Sequence, residues 1–411
     1  MRLAHAPRAA LIAALAGLVP AVFVACTDGA NGSNAGTEPD AANDATYVDA
    51  SLPDQGADVV PTPGDAGACS EAGFCREPLP VHEPLVGVTA SSADDAWTTG
   101  GDVVLHWDGT SWKTVYQYRG TATSFAFVGI WGTKLDDLWA LGVADSRAFL
   151  VRGGSADGGA PALREVVAED DLSPYDEYHG WLAPSADELW LLERYSRQVR
   201  RMRQLPDRSI VIDDVTPPMT GDGPESELTW ESLWGFAPDD VYIGGHECPD
   251  ILCNEPHGAL AHYDGAAWSI TLLDSSESVS AIVGTTGADQ PRQLWLGRDK
   301  AVQLVPLTSE GGIGAPLYTQ TIMTEVYDCS HLIGAAVSPA LAWLSNGCVV
   351  YRWNGATLDV MPVSSKAIPT AYLKGIWAGK AGEAWIVGES LDHGPDALNT
   401  GFTARRKGDA P

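Results

Sequence analysis

The feature that most constrains this chain is an aromatic residue that returns seven times at near-regular spacing. Trp97, Trp139, Trp190, Tyr242, Trp295, Trp343 and Trp385 follow one another at intervals of 42, 51, 52, 53, 48 and 42 residues. In five of the seven an acid stands two positions earlier, as in Asp95-Ala96-Trp97, Asp137-Leu138-Trp139, Glu188-Leu189-Trp190, Asp240-Val241-Tyr242 and Glu383-Ala384-Trp385. About ten residues before each aromatic lies a short apolar run around glycine. Val128-Gly129-Ile130-Trp131-Gly132, Ser232-Leu233-Trp234-Gly235 and Lys374-Gly375-Ile376-Trp377 are examples. After the aromatic, three units show a further pair of apolar runs split by a turn: Trp107-Asp108-Gly109, Tyr263-Asp264-Gly265 and Trp353-Asn354-Gly355. Asp-Gly and Asn-Gly between apolar runs signal a tight hairpin, because such turns need positive φ.

Each unit therefore reads as four short antiparallel strands. One such sheet cannot bury both of its faces, so the units must stack on each other. A period of 40–50 residues made of strands is the signature of propeller blades. Closing the ring leaves only short edges exposed. The expected fold is all-β, a seven-bladed β-propeller. The last unit has room for only three strands, near 373–378, 383–388 and 401–406. The orphan segment Glu77-Pro78-Leu79-Pro80-Val81 is expected to supply the fourth, and proline suits an outermost edge. The repeat resembles the Trp- and Gly-rich propeller repeats of bacterial surface and periplasmic proteins, akin to the kelch and sialidase-type families, over about 76–406. That resemblance implies a fold and says little of activity. The sialidase-type box has one residue between its Asp and Gly, which are adjacent here.

The N-terminus has a different character. Arg2, His5 and Arg8 precede a charge-free run, Ala9 to Ala25, that ends Phe23-Val24-Ala25-Cys26. The run is short for a membrane span and has the layout of an export signal. Its end resembles the lipobox of bacterial lipoproteins, which implies acylation of Cys26. Residues 27–68 hold eight acids and no Lys or Arg, with few large apolar residues. Such a segment cannot bury enough surface to offset its ordering entropy. As a flexible coil it would reach ~35 Å. The expected domains are a signal peptide over 1–25, a lipidated acidic linker over 26–68 and the propeller over 69–411.

Charge and cysteine narrow the function further. The formal net charge is −29. A body this acidic repels phosphate backbones, which argues against nucleic-acid partners. Setting aside Cys26, six cysteines remain in close pairs: Cys69/Cys75, Cys248/Cys253 and Cys329/Cys348. An exported protein favours disulfides between them, although six cysteines allow fifteen connectivities. The run His246-Glu247-Cys248 to Cys253-Asn254-Glu255-Pro256-His257 also has zinc-like ligands, but the compartment favours a stapled loop and no metal. No nucleophile elbow, phosphate loop, dinucleotide fingerprint or zincin motif is present, and no cofactor is expected.

Loops carry binding on rigid scaffolds. In a four-strand blade, the links from second to third strand and from blade to blade share one face. The long ones fall there: 119–126, 169–178, 215–230, 246–257, 325–331, 363–372 and 389–400. His246, Glu247, Glu255, His257, Asp392 and His393 are the candidate binding residues. The opposite face is short-looped except at 153–161 and 307–317. Arg194, Arg197, Arg200, Arg201, Arg203 and Arg208 form a basic cluster, read as a strand paired with local acids rather than an anion site. The expected function is a monomeric, lipid-anchored binding or scaffold module for a protein or glycan at the cell envelope, in the outer membrane or at the surface of a Gram-negative bacterium. A carbohydrate-active hydrolase or lyase using channel carboxylates is the alternative enzyme reading. A structural envelope protein is the third.

Overall fold

The computed structural model describes residues 69–408, apart from 146, 155–161, 170–171, 173–176, 186, 195–196, 219–226, 250–252, 254, 274–276, 286–289, 299–300, 323–331, 364–370 and 391–399. Cys26, the signal segment and the linker lie outside the described residues, as do Asp392 and His393. Seven four-stranded antiparallel sheets form seven blades. Blade 1 runs Leu85–Ser92, Asp95–Gly100, Val103–Trp107 and Trp112–Gln117 from the centre outward. The inner strands of blades 2 to 7 are Phe125–Trp131, Tyr178–Leu182, Glu227–Ala237, Ala281–Gly284, Ile333–Ser338 and Ala371–Ala378. Each contacts the inner strand of the next blade, and that of blade 7 meets that of blade 1. The fold is a closed, seven-bladed β-propeller.

The seven recurrent aromatics all lie on second strands and are all buried, as their spacing required. Each stands between its own sheet and the next. Trp139 packs with Tyr178 and Leu189 of blade 3, and Trp385 packs with Leu85 and Trp107 of blade 1. A buried aromatic of this size removes 150–250 Å² from water, so seven of them dominate the ring's cohesion. Opposite six of the seven, the third strand places a base: His106, Arg152, Arg201, His262, Arg352 and Arg405. The ring of Trp97 stacks on His106, and Arg152 lies 4.8 Å over Trp139. The acid two positions before the aromatic completes the set in three blades. Asp95 meets His106 at 2.7 Å, Glu188 meets Arg201 at 2.8 Å, and Asp240 meets His262 at 2.9 Å. Blade 5 has neither charge: Gln293 precedes Trp295, and Leu304 faces it.

One sequence expectation is corrected. The closing strand is Cys75–Arg76, paired with Arg405 and Ala404, and extended by the Glu77 amide donating to the Thr403 carbonyl at 3.1 Å. It therefore starts two residues before the segment 77–81. Pro78 and Pro80 lack the amide that continued pairing would need, so the chain leaves the sheet there. Leu79 and Val81 pack against the blade 1 core instead. The Asp-Gly hairpins are tight turns with positive φ at glycine, as expected, and hold four residues between their strands. Asp108 Oδ1 accepts from the amides of Thr110 and Ser111, so the side chain holds the turn and only Gly109 needs positive φ, at 91°. Asp264 and Asn354 repeat this arrangement.

Candidate functional site

The inner strands enclose a central channel of about 1060 Å³. Its wall is mostly glycine, small and apolar side chains, with Trp131, Trp181, Trp234 and Trp377 among them. The channel opens on two faces. One carries the second-to-third strand turns and the blade-to-blade links. The other carries the first-to-second strand turns.

On the first face, Cys248 is bonded to Cys253 across the turn after Asp240–Cys248. Both sulfurs are used in that bond, so no thiolate is left there for zinc. His246 lies close to the pair, but its Nδ1 is already engaged. It sits 2.8 Å from Glu231 Oε1 and 3.2 Å from Ser278 Oγ. Ser278 donates to the same Glu231 oxygen at 2.9 Å. The backbone explains how Glu231 gets there. Pairing slips between Trp230 and Ser232, so Glu231 is an extra residue in a bulge. A bulge re-aims the inserted side chain.

The network continues into blade 3. Arg194 lies 4.0 Å from Glu231 and 2.8 Å from Glu177, and Glu177 is 3.6 Å from His179 at the channel wall. His179 and Arg194 hold the Glu177 carboxyl down to about 2. Burial opposes the charge on Glu231. Hydrogen bonds from His246 and Ser278, with the fields of His246 and Arg194, outweigh it and lower its pKa. Both groups are therefore anions near neutrality.

This set contains Glu, His and Ser, but it is not a nucleophilic relay. A relay needs the acid on one ring nitrogen and the serine on the other. Here both contact Nδ1 of His246. The channel acids are also tied locally. Asp137 Oδ1 accepts from the amides of Thr133 and Lys134, and Glu383 Oε2 accepts from that of Ala381.

The other predicted residues are placed as follows. Glu247 is buried, with His257 Nδ1 3.8 Å from its carboxylate, so it supports the hairpin rather than facing a partner. Glu255 and His257 are exposed beside the stapled turn. Cys69 is bonded to Cys75 at the closing strand. Cys348 is disulfide-bonded, and Cys329 lies outside the described residues. The arginine cluster is ion-paired: Arg197 with Glu227, Arg200 with Glu193, Arg201 with Glu188 and Arg203 with Asp213. Sequence reasoning missed Glu177, His179, Glu231 and Ser278. Glu231 could have been noticed as the one charged residue in the strand-like run Leu228 to Leu233.

No protein-family model matches the chain, and no curated protein matches it. Among solved structures it is similar to YCF48 bound to a D1 peptide, with a TM-score of 0.52 at 11% identity, over 85% of this chain and 99% of that one. It also resembles a streptogramin B lyase (TM-score 0.48, 14% identity, 81% and 99% covered). A third is the Cps50 (Swd1) propeller domain of Myceliophteria thermophila (0.49, 11%, 77% and 96%). Identities this low speak for the fold alone.

Proposed function

We propose that this chain is a non-catalytic binding module, lipid-anchored through Cys26 at the bacterial cell envelope, that holds a protein or glycan on the face bearing the stapled hairpin. The observation that carries this reading is the network from His179 to Ser278. It fixes three blades and the stapled turn around one mouth of the channel. Charged groups locked by mutual bonds make a rigid, specific rim, and rigid rims bind with little ordering cost. The tied carboxylates and the one-nitrogen His246 geometry favour binding over catalysis. The peptide carried by YCF48 is a property of that protein, and it makes a protein partner the first to seek.

The test is a cross-linked pull-down from envelope fractions with the intact chain and with residues 249–256 replaced by a short Gly-Ser turn. A glycan array is run beside it. A partner retained by the intact chain and lost from the variant supports the reading. Equal capture by both rejects the face. Product release from a polysaccharide, abolished on changing Asp137 or Glu383, would reject the non-catalytic role. Incorporation of labelled palmitate, lost in Cys26→Ser, tests the anchor.

A further inference from the structure

The channel's second mouth carries a different site. Cross-strand register sets one layer of the channel wall, formed by the inner-strand residues facing the recurrent aromatics. In blade order these are Thr89, Trp131, Trp181, Trp234, Val283, Ala335 and Trp377. Four of the seven are tryptophan. Three have a packing explanation. A Cβ on Gly180 would strike the Trp131 ring, one on Gly235 would strike Trp181, and one on Gly284 would strike Trp234. Each of these rings is thus seated on a glycine of the following blade and wedges the two inner strands apart.

Trp377 breaks the pattern. The following inner strand belongs to blade 1, and there the backbones of Gly375 and Gly87 approach directly, with Gly87 Cα 2.9 Å from where a Gly375 Cβ would stand. The ring of Trp377 turns toward the mouth, its tip lying 2.9 Å from the Cβ position of Gly379 in the turn after its own strand. Like Trp131 and Trp234 it is partly exposed on the channel wall, but it packs on one side against the core of blades 7 and 1 rather than on a glycine of the following blade. The same end of the channel carries the Glu383 carboxylate, the exposed amine of Lys380 and the exposed residues Ser91, Ser92 and Thr133, of which Ser91 donates its hydroxyl to Asp95 and Thr133 to Asp137. Among the described residues Lys380 has no ion-pair partner.

We propose that Trp377 is a stacking platform for a saccharide ring at this mouth. An indole face covers the apolar C–H face of a pyranose, while hydroxyls need donors and acceptors at its rim. The rim supplies both, in neutral and in oppositely charged groups, which fits a neutral polyhydroxyl ligand better than an ion. This site is independent of the stapled-hairpin face and uses the opposite end of the channel.

The experiment is saturation-transfer NMR on the full propeller with three neutral probes: cellotriose, maltotriose and chitotriose. The intact protein should transfer saturation to ring C–H protons of at least one. Trp377→Leu, which keeps apolar contact with the core but removes the aromatic face, should weaken that probe at least about tenfold. Trp377→Phe should retain part of the binding, and Lys380→Ala should weaken it less than the leucine variant does. Circular dichroism checks that each variant folds. The chain with residues 249–256 replaced should bind the probe as the intact chain does, which separates this site from the other face. No transfer to any of the three probes, or undiminished transfer with folded Trp377→Leu, overturns the proposal.

Discussion

Glu77 at the closing seam and Glu231 at the channel mouth are almost equally buried, at 16% and 13% side-chain exposure, yet their carboxyls shift in opposite directions. Glu77 is bonded by Arg405, at 3.0–3.1 Å, with Lys407 acting through its field, and Arg405 is shared with Asp94 at 2.7 Å. Burial wins there, and the pKa rises. Glu231 receives His246 and Ser278 directly and feels Arg194, so its partners win and the pKa falls. How far the partners of a carboxylate offset its burial, rather than its depth alone, sets the sign. The two sites also differ in what they join. The seam ties together chain ends 328 residues apart, with Arg405 lying over the rings of Trp107 and Trp385. The mouth ties together neighbouring blades.

The sharpest way to break the seam is to remove its floor. Trp385→Ala should cost about 4 kcal/mol, read as a fall in the urea midpoint, because it empties a fully buried site between blades 7 and 1. Arg405→Ala should cost about 3 kcal/mol, since it leaves Glu77 buried without its cation. The paired change with Glu77→Gln should recover part of that loss, and full additivity would show that the two do not interact. Replacing Cys69 and Cys75 by serine should cost about 2 kcal/mol, the entropy of a short loop. The mouth should be the more forgiving region: Glu231→Gln is expected to cost about 1–2 kcal/mol, with near-native circular dichroism.

Acid should then separate the two regions. The folded-state pKa of Glu77 lies above 4.5, so the folded form takes up its proton first, and this group adds stability as pH falls toward that value. Glu177 and Glu231 lie below 4.5. Their contribution is fully present above that pH and is lost as pH falls through their folded values, about 2 for Glu177. Hydrogen exchange between pH 5 and 3 should show the strands at 178–182 and 188–193 losing protection before the 75–77 and 403–405 pairing. Simultaneous loss would erase the distinction.

Much of the ring was legible along the chain because strand alternation and blade repetition are local. The aromatic at each second strand must be large and buried, so its spacing gave seven blades. The missing last strand required an N-terminal donor, although the donor sits at 75–77 because proline bars pairing at 78 and 80. The Asp and Asn turns were legible as turns. Their length was not, because the side chain rather than the backbone holds them.

Contacts between residues outside the repeat could not be read this way. Nothing in the spacing joins Glu231 to Ser278 across 47 residues, because a bulge, invisible in composition, aims that carboxylate. Nor does the sequence separate Trp377 from Trp131, Trp181 and Trp234, which share its layer. The other three rings each sit on a glycine of the following blade, whereas the Trp377 tip lies against Gly379 of its own. The sequence by itself determined how many blades there are and where each aromatic stands, because those depend on period and volume. Only the tertiary structure decided which charges meet and how each channel tryptophan is seated, because both depend on how the ring closes.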